Sequence, residues 1–335
     1  MPALRPLRIG SARLPNNLVL SPMAGYSDLP FRALCRAHGA GLVCTEMVAA
    51  TSVEHEGRAT MQRMATAPEE RPVSIQLVGS DAEALAHAAR VAGARCDVLG
   101  FNLGCPAHQV ARQGCGAALL DHPERALGLV RAIKAASAKP LLVKMRAGTR
   151  SVMDCAGFAR GLEEAGADGL IFHARTAAQS YRGRADWDLI RQVKEAVDIP
   201  VLGNGDVVDG PSASRALERS GCDGLAIGRA ALGDPRLFAR IAAYLEEGAE
   251  PPKPSPAERL EDFRAYVRTA EACGYGASRV VPHAHAFSKG IPGGAQLRAS
   301  LLKARTPGEA LALFEAHVQR RGQRQVPPEP ASATS

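Results

Sequence analysis

Aromatic residues are scarce in this 335-residue chain: Phe, Trp and Tyr make up 4%, with a single Trp. Hydrophobic residues nevertheless reach 46%. Val, Leu, Ile and Ala must therefore fill the core. No Cys-x-x-Cys pair occurs among the eight cysteines, at 35, 44, 96, 105, 115, 155, 222 and 273. That removes support for a zinc or iron–sulfur centre, and no metal is expected. No stretch approaches the roughly 20 apolar residues needed to cross a bilayer. The opening Met1-Pro-Ala-Leu-Arg5 lacks the apolar run of a secretory signal. The expectation is a cytoplasmic protein with free thiols and no membrane partner. Acidic residues number 34 against 41 Lys and Arg, a net charge of +7. So modest an excess suits a polyanionic partner without requiring one.

What is present is alternation. Short apolar runs at 18–21, 42–44, 73–77, 98–102, 141–144, 169–173, 201–203 and 224–228 read as eight strands. Between them Ala, Leu, Arg and Glu recur at helical spacing, as in 82–92 and 123–136. Eight strands alternating with helices predict an α/β fold, a closed parallel (β/α)8 TIM barrel, and the length suits a barrel of roughly 250 residues plus a small extra domain. Residues 7–18 read as a hairpin capping the bottom of that barrel. Pro251-Pro-Lys-Pro-Ser-Pro256 reads as a linker. The expected domains are a barrel with its hairpin over 1–250, a helical domain over 257–320 and a disordered tail over 321–335. The helical domain reads as 258–273, a stretch around 283–289, and 307–320.

Such barrels carry their chemistry at the carboxyl ends of the strands. Those ends hold Ser21-Pro22-Met23-Ala24-Gly25, Thr45-Glu46-Met47, Gln76, Asn102 followed by Cys105, Lys144 with Arg146, His173 with Arg175, Asn204-Gly205-Asp206 and Gly228-Arg229. A polar or glycine-rich group at nearly every end favours a cofactor-sized site. The last two suit phosphate, because glycine lets backbone N–H groups come close. Both glycine pairs are also compatible with plain tight turns. A lysine at the end of a buried strand is costly unless it meets an anion or a flavin, or an ion-pair partner in the barrel. Gln76 suits a flavin edge or a satisfied core amide, and His173 suits either a ligand site or a backbone-bonded core position.

The most informative segment is Leu99-Gly-Phe-Asn-Leu-Gly-Cys-Pro106, followed by Val110 and Gly116-Ala117. It places a thiol on the first turn after a strand. With Ser21-Pro-Met-Ala-Gly-Tyr-Ser-Asp28, Thr45-Glu-Met47, Gln76-Leu-Val-Gly-Ser-Asp81, Val143-Lys-Met-Arg146, His173-Ala-Arg-Thr176, Gly203-Asn-Gly-Asp206 and Ile227-Gly-Arg-Ala230, it resembles the tRNA-dihydrouridine synthases. The resemblance runs from about residue 7 to 317 and is nearest to the bacterial B-type. It implies an FMN-binding barrel with a helical domain that grips tRNA. Pro22, Met23 and Ala24 would line the flavin, and Gln76 and Lys144 would meet its ring. His173, Asn204, Gly205, Asp206, Gly228 and Arg229 would hold the ribityl and phosphate part. Asn102 and Arg146 would face the uracil. Cys105 would be the proton donor when NADPH-reduced flavin delivers hydride to C6 of a D-loop uridine. An unperturbed thiol, with a pKa near ~8.5, keeps most of its proton at neutral pH. Cys115 is a rival in a glycine-rich loop, and the other six cysteines read as small core residues.

Arg175 is a further candidate substrate contact, and Arg279, Lys289 and Arg298 are candidate tRNA phosphate contacts, or an ordinary solvated basic face. Two departures from the pattern fall in that surface: Ala107-His-Gln109 follows Cys105-Pro106, and Val281-Pro282 precedes His283 where a basic pair is usual. No dinucleotide fingerprint is present, so NADPH would visit the flavin transiently. A monomer is expected. Two rivals remain at this point: a flavin barrel reducing a free pyrimidine or an enone, and a flavin-containing RNA-binding protein without catalysis. The helical domain and the Cys105 motif speak against the first. The intact set of Cys105, Lys144 and Asn102 speaks against the second.

Overall fold

The computed structural model describes residues 3–55 and 57–323, the side chains of 321–323 excepted. Two short antiparallel strands come first, β1 (Leu7–Ile9) and β2 (Ala12–Leu14). Eight parallel strands follow: β3 (Leu18–Leu20), β4 (Leu42–Ala49), β5 (Val73–Val78), β6 (Val98–Leu103), β7 (Leu141–Arg146), β8 (Gly169–His173), β9 (Val201–Asn204) and β10 (Gly224–Ile227). They pair in chain order, and β10 closes on β3. The expected closed barrel is what forms.

Alternation along each strand sends every second side chain inward. Val19, Leu42, Cys44, Val98, Leu142, Ile171, Leu202 and Ala226 make one buried cluster, and Leu7, Ile9 and Leu14 of the hairpin pack into it. The hairpin therefore plugs the end of the barrel where the strands begin. Two residues further along each strand, at the open end, the inward positions are polar or glycine: Ser21, Lys144, His173, Asn204 and Gly228. The same alternation brings Gln76 in from β5 and Asn102 from β6. Polar groups can line that end because something other than the apolar plug can meet them there.

Several strands outrun the sequence expectation. β4 extends to Ala49, with a bulge between Cys44 and Met47, so Thr45-Glu46-Met47 lies within the strand and not beyond it. The bulge breaks the strict alternation that marks a strand in sequence. β7 ends at Arg146, so Lys144 and Arg146 both face inward from one strand.

The expected helices form at Ala82–Gly93 and Pro123–Ala136. Beyond the barrel, Pro256–Ala272 starts earlier than expected, because Ser255 and Glu258 form a capping box within the proline-rich stretch. Ala277–Phe287, Gly294–Leu301 and Pro307–Gln323 follow. Pro282 lies inside the second of these helices, which is why the sequence pattern alone shortened it. Two compact units result. One is the chain to Ala231 with Pro235–Pro252; the other is Leu232–Asp234 with the chain from Lys253. The expected tail begins at 321, but helical backbone continues to Gln323, and 324–335 lie outside the described residues. No described helix is long and apolar enough to cross a membrane.

Candidate active site

The loop that carries Cys105 is built by Asn102. Its Oδ1 accepts from the backbone N–H groups of Gly104 at 3.0 Å and Cys105 at 2.8 Å. That fixes the amide's orientation, so Nδ2 donates to Gln76 Oε1 at 2.8 Å. The Gln76 oxygen is thereby taken, and its Nε2 is left as an available donor in the barrel mouth. The Cys105 carbonyl accepts from Ala117 N–H at 3.0 Å. Gly116 sits against this loop at φ +63°, and a Cβ there would come within 2.8 Å of the Cys105 carbonyl oxygen. Only glycine permits both the conformation and the approach.

Cys105 is half-exposed, whereas Cys115 is buried and its thiol donates to the Gln113 carbonyl at 3.4 Å. Of the two rival thiols, Cys105 alone reaches the mouth. Cys35, Cys44, Cys96, Cys155 and Cys222 are buried as expected; Cys273 is half-exposed at the end of the Pro256–Ala272 helix, which corrects its core assignment.

Lys144 enters the mouth from β7. Its Nζ has one hydrogen-bond partner, Asn204 Oδ1 at 3.4 Å, and no carboxylate among the described residues pairs with it. The ion-pair alternative for this lysine is excluded. Burial, then the neighbouring Arg146 cation, pushes its pKa down to about 8, with Cys44 and Cys105 pulling weakly the other way. Asn204 Nδ2 donates to the Ala226 carbonyl at 2.6 Å, which turns its oxygen toward Lys144.

Arg146 is 2% exposed and joins two loops. Nε donates to the Gly104 carbonyl at 3.0 Å, and Nη1 donates to the Thr176 and Ser180 carbonyls, each at 2.9 Å. Nη2 has no partner among the described residues. One arginine thus anchors the Cys105 loop and the loop after β8 while keeping a donor in reserve.

Arg175 is equally buried, and each of its guanidinium nitrogens is engaged. Nε donates to the Arg182 carbonyl at 3.1 Å, Nη2 to the Gly183 carbonyl and both Asp206 carboxylate oxygens at 2.8 Å, and Nη1 reaches His173 Nε2 at 3.2 Å. An arginine only donates, so His173 Nε2 accepts and its Nδ1 carries the proton. Burial, reinforced by the Lys144, Arg146, Arg175 and Arg229 charges, pushes the imidazole down to about 2. His173 is a neutral N–H donor. Burial raises the Asp206 carboxyl, but the Ala185 N–H and Arg175 outweigh it and hold the group below its ordinary value. The sequence expectation placed Arg175 among the substrate contacts. In the structure it organises the 174–186 loop and the turn after β9.

That turn carries Gly205 at φ +131°, where a Cβ would come within 2.6 Å of Ala185 Cβ. At Gly228 a Cβ would make only ordinary contacts, with Met23 Sδ at 3.6 Å and Ser21 Cβ at 3.7 Å. Ser21 Oγ beside it is buried with no described hydrogen-bond partner. Pro22 and Met23 are half-buried and Ala24 is exposed at the rim. Arg229, exposed, follows Gly228.

One residue of this mouth escaped the sequence reading. Tyr181 is 52% exposed, with the Arg229 guanidinium 3.9 Å and the Arg146 guanidinium 5.7 Å from its ring centre. Its signal was an aromatic side chain in the polar stretch Gln179-Ser-Tyr-Arg-Gly183 of an aromatic-poor chain.

The remaining three candidates lie in the helical unit. Arg279 lies beside the Tyr275 ring at 5.3 Å, Lys289 is exposed, and Arg298 Nη1 reaches Ser288 Oγ at 3.4 Å. His283, after Val281-Pro282, is fully buried and stacks on Tyr266 at 4.3 Å.

A family model described as dihydrouridine synthase matches residues 19–323. The chain belongs to that family. It is 38% identical to the probable tRNA-dihydrouridine synthase of Rhodobacter capsulatus over 92% of this chain and 96% of that one. It is 40% identical to tRNA-dihydrouridine synthase B of Pseudomonas putida over 74% of each chain. Among solved structures, histamine dehydrogenase from Rhizobium superposes with a TM-score of 0.55 at 16% identity, covering 73% of this chain and 48% of that one. That likeness is one of fold.

Proposed function

We propose that this dihydrouridine synthase reduces the C5–C6 bond of a uridine in the D-loop of tRNA, with FMN as resident cofactor and NADPH as reductant. The observation that carries the reading is the set of groups at the carboxyl ends of β5, β6 and β7. It gathers a half-exposed thiol at Cys105, an unpaired cation at Lys144 and an available amide donor at Gln76.

The residues fit a flavin mononucleotide. Its ring presents carbonyl and imine acceptors, to which Gln76 Nε2 and Lys144 Nζ would donate, while His173 Nδ1 would donate to the ribityl and phosphate part. Its phosphate needs close backbone approach and a cation. Gly228 would supply the first, with the Gly205 backbone N–H near it, and Arg229, which has no ion-pair partner among the described residues, would supply the second. Pro22, Met23 and Ala24 would line the ring, and Asn204 and Asp206 would flank the ribityl chain. When bound, the reduced flavin supplies the hydride that adds to C6.

The chain's own part is to hold uracil and to give a proton. Arg146 Nη2 donates to the base, and the charge nearby favours the electron density that builds on uracil oxygen. Asn102 acts at the base through the loop it orders. The Cys105 thiol gives its proton to C5, leaving a thiolate that solvent reprotonates. Lys144 and Arg146 stabilise that thiolate. A base inside a folded RNA must leave its stack to reach this mouth, at a cost of a few kcal/mol. Phosphate contacts by the basic surface, with Arg279, Lys289 and Arg298 as candidates, offset it.

The direct test is purified protein, NADPH and unmodified tRNA transcript, with dihydrouridine measured by mass spectrometry. Wild type should reduce the tRNA and retain FMN. Reduction of free uridine or an enone at a comparable rate, with tRNA untouched, would overturn the tRNA reading.

A further inference from the structure

We propose that Tyr181 is a positioning residue for Arg229: its ring aims the guanidinium at the phosphate of the bound flavin, and so sets the preference of this mouth for the phosphorylated cofactor. The proposal rests on the flavin reading above and adds a residue to it.

The contact itself is close. The Arg229 guanidinium carbon lies 3.9 Å from the Tyr181 ring centre, well inside the ~6 Å over which a ring face attracts a cation. Arg229 opens the short turn Arg229–Ala231 directly after Gly228. It is exposed, and nothing else holds it: it makes no ion pair among the described residues. The acid best placed to capture it is Asp206, but both Asp206 oxygens accept from Arg175, and one also accepts from Ala185 N–H at 2.7 Å. A long exposed arginine without a partner loses considerable side-chain entropy when a ligand fixes it. The ring lowers that loss by restricting the side chain beforehand.

The geometry suits phosphate in particular. A ring occupies the face of a guanidinium and leaves the N–H donors of its edge free. Those edge donors are the ones that grip a phosphate in pairs.

Tyr181 is exposed, yet the chain on either side of it is fixed from beneath. The Ser180 carbonyl accepts from Arg146, and the Arg182 carbonyl accepts from Arg175. Ser180 adopts φ +52°, a left-handed conformation that a non-glycine residue holds only where its surroundings impose it. Two buried arginines, Arg146 at the end of β7 and Arg175 just beyond β8, therefore support one exposed ring. The contact is made by the Tyr181 ring face, so the role proposed belongs to the ring.

The test is flavin binding by full-length protein stripped of cofactor, followed by quenching of flavin fluorescence. FMN and riboflavin are compared for wild type, Tyr181→Phe, Tyr181→Leu, Arg229→Ala and the double variant Tyr181→Leu/Arg229→Ala. Tyr181→Leu should weaken FMN roughly three- to thirtyfold, the range expected for losing such a contact, and leave riboflavin unchanged. Tyr181→Phe should bind FMN like wild type. Arg229→Ala should show the same phosphate-selective loss, and adding Tyr181→Leu to it should change nothing further. Equal losses for both flavins would mark Tyr181 as merely structural and overturn the proposal. So would an unchanged FMN affinity in Tyr181→Leu beside a wild type that prefers FMN. A wild type that binds neither flavin would instead remove the cofactor reading, and this proposal with it.

Discussion

A thiol serves as an acid only where its sulfur reaches the substrate and its loop holds still. Cys105 meets both conditions, and buried Cys115 fails the first. Cys105→Ala should lower turnover by about 10²–10⁴, the usual contribution of a general acid, and leave flavin content unchanged. Cys115→Ala should leave turnover near wild type; steady-state kinetics on tRNA separates the two. Gly116→Ala should act like a weakened Cys105→Ala. Its Cβ would press on the Cys105 carbonyl and on Val110 Cγ1 at 2.9 Å, and about 1 Å of misplacement at reacting atoms costs on the order of 10² in rate. Flavin binding should survive it.

Lys144 makes a separate prediction at the same scale. Its pKa is about 8 in the folded chain, against ~10.4 for an unfolded lysine. Between those values the unfolded chain binds more protons, so the stability of the flavin-free protein should rise with pH across that window. Below it both states are charged and the slope vanishes. Denaturant midpoints from pH 7 to 10 would show the rise, and Lys144→Met should flatten it.

Among the elements, the loop over 174–186 is held by two buried arginines, its own Arg175 and Arg146 of β7. Arg175→Met removes a buried cation that binds the Arg182 and Gly183 carbonyls and leaves Asp206 without its charge partner. Breaking such a pair from one side typically costs about 3–5 kcal/mol when both partners are buried. Asp206 is partly exposed, so the cost should be smaller. Limited proteolysis should cut this loop faster in Arg175→Met than in wild type, and an unchanged cleavage pattern would contradict the assignment. This loop also shows where reading by sequence stops. Strand ends are legible because alternation and strand order fix which residues face the mouth. Lys144, His173 and Asn204 follow from that rule alone. Tyr181 does not, because its place depends on which loop carbonyls Arg146 and Arg175 bind. The extension of β4 was hidden for a related reason: a bulge interrupts the alternation that marks a strand. Asn102 lay at the expected strand end, but its work in shaping the Cys105 loop became visible only with its partners.

At the scale of the whole molecule, chemistry and charge are divided. The barrel holds the candidate active site, and Arg279, Lys289 and Arg298 belong to the helical unit. If they grip phosphate, Lys289→Ala and Arg298→Ala should each reduce the slope of log affinity for tRNA against log salt by about 1, and barrel turnover at saturating tRNA should persist. An unchanged slope would return them to an ordinary solvated face. The central claim, that Cys105 protonates a tRNA uridine in this mouth, is tested most directly in cells. Dihydrouridine would be mapped across tRNA from cells lacking this gene and from cells rescued with wild type or Cys105→Ala. The account predicts loss at a defined D-loop position, restored by wild type and not by Cys105→Ala. An unchanged map in a cell without a second synthase, or full rescue by Cys105→Ala, would contradict it.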